Sequence, residues 1–204
     1  MNATKDAANY TASLTGEPFL FNETRALATF LVSGEDLELL RKRNLAENII
    51  MHKKAGSLKR VNTPIFRRLS VISPNAMRIL VGPDVEAARL VLLVAIAKTD
   101  RLVHDFLTEV YIDKLVLKAN TINKSDIELY FESVYVLEPY IRDRSEQTKA
   151  KLKQQLMKIM TEAGLTTKQG SAFLVTRPNI TNKLANQFVA DGDSEYIKVL
   201  GGYE

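Results

Sequence analysis

The chain has 204 residues, 46% of them hydrophobic and 25% charged, which suits one large folded domain or two small ones. It has no cysteine, so disulfides and thiolate metal sites are excluded, and nine glycines with no tryptophan suit helices better than a turn-rich β fold. The net charge is only +4, yet Arg41 to Arg68 carries nine basic side chains against one acid, Glu47, a local +8 that leaves −4 for everything else.

Along the chain, Tyr10 to Phe21 reads as an extended arm whose apolar end packs on the body. Asn22 is placed to cap a helix reaching about Ser33, with Leu27, Phe30 and Leu31 inward. Gly34 breaks it. A second helix starts near Glu35 and runs into Arg41-Lys42-Arg43, and a short one is expected over 46–52. Ser57 can cap a helix to Ile72. Pro64 lies inside that stretch, where it kinks the helix or restarts it. Ser73-Pro74 repeats the cap-then-proline signal for a helix to about Leu80.

The run from Val85 to Ala97 has eleven apolar residues out of thirteen. It is too short to span a bilayer, which takes ~20, and Pro83-Asp84 and Lys98-Thr99-Asp100-Arg101 close it. A helix apolar on every side belongs at the centre of a core. Asp100 or Arg101 begins the next helix, with Val103, Phe106, Leu107 and Val110 at helical spacing. Ser125 to Glu128 has the form of a capping box for a helix to Leu137. Ser145 caps a long helix to Ala163, with Leu152, Leu156, Ile159 and Ala163 inward and Lys149, Lys151, Lys153 and Lys158 outward. Leu165–Lys168 and Ala172–Thr176 flank Gln169-Gly170 as a short hairpin. Two short helices close the chain, near 181–190 and 194–200.

The fold class expected is mainly α, a multi-helix bundle with a short C-terminal β-hairpin. Residues 1–72 form an N-terminal arm and a basic, helix-turn-helix-like module. Residues 73–204 form the remaining bundle, hairpin and short helices, continuous with the first part in one compact unit.

Charge concentrated over Arg41, Lys42, Arg43, Lys53, Lys54, Lys59, Arg60, Arg67 and Arg68 fits a surface that meets a polyanion. Lys59, Arg60 and Arg67 can share a helix face, since seven residues make about two turns. Few aromatics accompany them, so duplex binding fits better than stacking on single strands. Lys149, Lys151, Lys153 and Lys158 make a secondary basic surface. Helix followed by hairpin is how a winged module ends, but a plain amphipathic helix with wet lysines is the preferred reading of this pattern. His52 and His104-Asp105 match the order of helical metal phosphohydrolases, but Lys53 and Lys54 beside His52 repel a cation. No phosphate loop, nucleophile elbow or dinucleotide fingerprint is present. No catalytic residue, metal or cofactor is expected.

The string Tyr10-Thr-Ala-Ser-Leu-Thr-Gly-Glu-Pro-Phe-Leu-Phe-Asn-Glu-Thr-Arg25 resembles the opening of the BrxA family, the small A component of bacteriophage exclusion (BREX) defence systems. The similarity continues through Lys59-Arg60, Phe66-Arg67-Arg68-Leu69, Ala95 to Leu102, Ser125-Asp126-Ile127 and Ile159 to Leu165. It departs at Pro64, where a helix former is more usual. The resemblance implies a cytoplasmic, mainly helical protein, similar in fold to the NusB antitermination factor, that binds double-stranded DNA without catalysis. The absence of a signal-peptide core at Met1–Asp6 agrees with that location. The partners it implies are double-stranded DNA and other BREX proteins, with no membrane; a homo-oligomer is left open. The competing reading is a protein-interaction subunit whose basic segment touches an acidic partner.

Overall fold

The computed structural model describes residues 10–53 and 55–201. A 3₁₀ turn at Ser13–Gly16 buries Leu14, and Tyr10 and Phe19 on either side are buried too. The arm therefore packs on the body along its length, not only at its apolar end. Helix α1 (Phe21–Val32) has Leu20 at its N-cap position, in left-handed backbone at φ 56°. Asn22 lies inside the first turn and is not the cap.

Helix α2 (Leu37–Glu47) is capped by Asp36, whose carboxylate accepts from the Glu38 and Leu39 amides at 2.9 Å. It runs past Ala46 and stops at Asn48, φ 53°, so the separate helix expected over 46–52 does not form. Helix α3 (Ala55–Leu69) includes Ser57 in its body and continues through Pro64. A proline there removes one backbone hydrogen bond and crowds the preceding turn, at a cost of about 3 kcal/mol. Burial of Leu58, Val61, Ile65, Phe66 and Leu69 along the same helix offsets it. Between α2 and α3, the buried Asn44 amide donates to Asn62 Oδ1 at 2.7 Å.

Helix α4 (Pro74–Val81) starts as expected, with Ser73 Oγ accepting from the Ala76 amide at 3.2 Å. Asp84 then caps α5 (Val85–Thr99), in which every side chain from Ala87 to Ala97 except Arg89 is buried. Helices α3 and α4 pack against it. Asp100 closes α5 and caps α6 (Arg101–Asp105), accepting from the Val103 amide at 3.3 Å. Helix α6 passes through a π-helical segment, Phe106–Tyr111, into α7 (Ile112–Val116).

A two-residue strand, β1 (Thr121–Ile122), leads into α8 (Lys124–Leu137). The capping box is Asn123 with Asp126, whose carboxylate accepts from the Asn123 amide at 2.7 Å; Ser125 lies inside the helix. After the single turn α9 (Pro139–Arg142), Ser145 caps α10 (Glu146–Glu162). Leu152, Leu156, Ile159 and Ala163 are buried, as the helical phase requires. Strands β2 (Thr166–Gln169) and β3 (Ala172–Val175) form the hairpin, with Gly170 at φ 60° supplying the turn geometry a two-residue loop needs. The sheet is antiparallel in the order β1-β3-β2, with Thr121 opposite Leu174 and Ile122 opposite Phe173. Helices α11 (Asn182–Ala190) and α12 (Ser194–Val199) return to the body, where Asp193 meets Lys98 at 2.9 Å.

Buried apolar side chains from Tyr10 to Leu200 make one contiguous cluster. Among the described residues no helix is long and apolar enough to cross a membrane.

Candidate nucleic-acid interface

The basic segment occupies α2, α3 and the connection between them, and its nine cations have unlike surroundings. Lys42, Lys53, Lys59 and Arg60 are exposed and make no ion pair with a described residue. Arg41 stands 3.7 Å from Glu38. Arg43 is held by Glu35 at 2.8 Å and Glu47 at 3.6 Å, with its guanidinium 4.7 Å from the Phe30 ring centre. Arg67 is paired with Glu17. Lys54 lies outside the described residues.

Arg68 is the clear departure. Its side chain is fully buried and donates to the carbonyls of Pro18 at 2.8 Å, Phe19 at 3.1 Å and Glu17 at 3.4 Å. Glu17 Oε2 lies 3.9 Å away. Burial lowers the Arg68 pKa to about 10, which leaves it cationic at neutral pH. Asp100, also buried, is pushed up to about 6, chiefly by loss of solvation. A guanidinium enclosed in this way anchors residues 17–19 to α3 and cannot reach a phosphate. Arg68 therefore leaves the candidate surface. The connection between α2 and α3 spans residues 48–53 at least.

The secondary surface is also divided. Lys151 is exposed and makes no ion pair with a described residue, and Lys158 is exposed with Glu162 at 3.8 Å. Lys149 lies over the Tyr135 ring and pairs with Glu146 at 2.7 Å. Lys153 bridges to Glu128 on α8 and lies against Phe131 and Tyr135. Both thus hold α10 to α8 as well as supplying charge. Two exposed lysines join this region that the charge pattern did not single out: Lys124 at the start of α8 and Lys168 on the hairpin. The five lysines 124, 149, 153, 158 and 168 line a groove of about 800 Å³ between α8, α10 and the hairpin, floored by Ile127, Met157 and Phe173. No one-dimensional signal unites them, because their nearness depends on the pairing of β1 with β3.

The histidine pattern is used structurally. His104 Nδ1 lies 3.0 Å from the Tyr196 hydroxyl, while Asp105 accepts from Tyr10 and, at 3.3 Å, from Arg101. Among the described residues no three His, Asp or Glu side chains gather as a metal ion requires.

The sequence model of the BrxA family matches residues 8–191. This chain belongs to the BrxA family. BREX protein BrxA of Bacillus cereus (strain H3081.97) is 25% identical over 193 residues, spanning 95% of this chain and 96% of that relative. BREX protein BrxA of Escherichia coli O9:H4 (strain HS) is 26% identical over 165 residues, 78% of this chain and 75% of the relative. A crystal structure of an uncharacterized protein from Magnetospirillum magneticum shares the fold, with a TM-score of 0.79 at 19% identity over 94% of this chain and 97% of its own. BrxA membership thus rests on nearly the whole length of the molecule.

Proposed function

We propose that this chain is a non-enzymatic accessory protein of a BREX phage-defence system that binds double-stranded DNA in the cytoplasm, beside other BREX proteins. Family membership supports the defence role. The observation that carries DNA binding is the set of four exposed cations Lys42, Lys53, Lys59 and Arg60 on and between α2 and α3, none ion-paired with a described residue. Free lysine and arginine side chains displace condensed counterions from a duplex, whereas cations already neutralised by carboxylates gain less. With four phosphates neutralised, affinity falls about a hundredfold between about 50 and 200 mM salt. Fluorescence anisotropy with a labelled duplex measures this, and a flat salt response removes the reading. A NusB-like arrangement of the helical bundle belongs to the same proposal; a superposition on NusB that leaves most helices unmatched removes that part.

A second reading, a subunit that holds other defence proteins, is favoured by the apolar side chains on α8 and α9. Leu129 is 70% exposed and Val136 80%, with Leu137 and Tyr140 close by in sequence and also exposed. Exposed apolar groups clustered along one element fit a protein contact. Co-purification of a BREX protein that is lost in Leu129→Ser with Val136→Ser, with DNA affinity unchanged, supports it.

A further inference from the structure

From Arg101 to Val175 the chain runs helix, short strand, helix, helix, hairpin, and the short strand β1 pairs with the second hairpin strand β3, giving the order β1-β3-β2. That connectivity is the winged helix-turn-helix. The first helix is α6 to α7, the second is α8, the third is α10, and β2–β3 is the wing. The single turn α9 is inserted between the second and third helices, and Asp143-Arg144-Ser145 forms the turn into α10. In such units the third helix enters the major groove and its partner crosses the backbone.

The surface of α10 has the chemistry this requires. Gln147, Lys151, Gln154 and Lys158 are all exposed, and their steps of four, three and four residues place them on one face. The face extends about 16 Å along the helix. The opposite side, with Leu152, Leu156, Ile159 and Met160, is buried. Glutamine amides both donate and accept, which suits an adenine edge, and lysines suit guanine or phosphate. On the wing, Lys168, Gln169, Gly170 and Ser171 are exposed. Of the five lysines between residues 146 and 171, Lys149, Lys153 and Lys158 pair with Glu146, Glu128 and Glu162, while Lys151 and Lys168 make no ion pair with a described residue, so five cations meet three carboxylates. The face is therefore electropositive and complementary to a polyanion.

We propose that residues 101–175 form a winged helix-turn-helix unit that lays α10 in the major groove of duplex DNA, with Gln147, Lys151, Gln154 and Lys158 toward the bases and backbone, and sets Lys168 of the β2–β3 hairpin on the flanking phosphates. This rests on the reading of the chain as a DNA-binding protein and assigns groove contact to a surface other than α2 and α3.

Because the chain lacks cysteine, a single introduced cysteine is a unique attachment point. The test uses the full chain carrying Ser171→Cys, labelled with an iron chelate that cleaves nearby DNA, and a second full chain carrying Thr63→Cys on the exposed side of α3. Affinity is measured in parallel for Lys151→Glu with Lys158→Glu, with folding checked by circular dichroism. The expected result is cleavage from position 171 and affinity lowered about tenfold or more, since two phosphate-range cations are reversed. Gln154→Ala, which leaves charge and fold untouched, is expected to flatten the preference among duplexes that differ in A·T content. A silent chelate at 171, or a charge-reversed variant folded and within twofold of the unmodified chain, overturns the winged-helix assignment. If position 63 cleaves while 171 does not, DNA binding stands and only this inference fails. If the unmodified chain shows no salt-sensitive duplex binding, the proposed function fails with it.

Discussion

Replacing Arg68 with alanine separates a buried anchor from a DNA contact more sharply than any other single change in the basic segment. Arg68 has no solvent exposure and bonds three carbonyls, of Glu17, Pro18 and Phe19, at 2.8–3.4 Å. Alanine leaves those oxygens facing a cavity and takes one of two guanidinium partners from the Glu17 carboxylate. Breaking a buried pair costs about 3–5 kcal/mol, and the surviving Arg67 contact keeps the figure near the lower end. A typical domain has only about 5–15 kcal/mol in hand. At roughly 2–4 °C per kcal/mol for a chain of this size, the melting temperature should drop by roughly 6–12 °C. Lysine at the same position keeps a charge but not the fork that reaches several carbonyls, and should fall between the two. The assay is thermal and urea unfolding by circular dichroism, with duplex affinity measured well below the variant's midpoint and expected within about twofold of the unmodified chain. A variant that melts within about 2 °C of the unmodified chain yet loses DNA affinity would falsify the inward placement of Arg68.

Three further outcomes follow from the same packing. Arg60→Glu should change stability by only about 0.5 kcal/mol while weakening duplex binding, whereas Arg67→Glu sets a carboxylate against Glu17 and should lower the urea midpoint; equal midpoints would contradict the Arg67–Glu17 pair. Leu93→Asp should abolish cooperative unfolding, because Leu93 is fully buried in α5 and an unpaired carboxylate there costs several kcal/mol even after it takes up a proton; a soluble variant with a sharp melt would mean α5 is not central. Asp100 has a folded pKa of about 6, above its ordinary value, so its contribution is fully present below about pH 4 and is lost as the pH rises through about 6. Asp100→Asn retains a capping oxygen for the Val103 amide and should melt above the unmodified chain at pH 8, by at most about 3 kcal/mol, with the gap closing toward pH 4; a gap that does not vary with pH refutes the burial of an ionisable group at this position.

Much of the secondary structure was legible from local chemistry. The caps at Ser73 and Ser145 were readable because a capping side chain reaches amides only two or three residues away, and the helix starts near Asp84 and at Asp100 or Arg101 were marked by the same chemistry. The central position of α5 was readable because eleven apolar residues in thirteen leave no polar face to expose. The hairpin at Gly170 carried its own turn signal. Local rules misled at Asn22, where left-handed Leu20 takes the cap position; at Pro64, of the two readings, a restart is removed because α3 continues through the proline.

What the order of residues by itself determined was where most helical segments lie, which of their faces are apolar, and that positive charge is concentrated between Arg41 and Arg68. Which of those charges meet water was decided only by the tertiary structure. Arg67 and Arg68 are adjacent and chemically alike, but about 100° of helical turn separates them, and Arg68 faces carbonyls contributed from about fifty residues upstream. Thr121-Ile122 is likewise a strand only because β3, more than fifty residues later, pairs with it, and that pairing brings Lys124 and Lys168 to the α10 lysines. Charge and periodicity are properties of neighbours along the chain; exposure and juxtaposition depend on segments distant in sequence, and they appear only when burial of the common core brings those segments together.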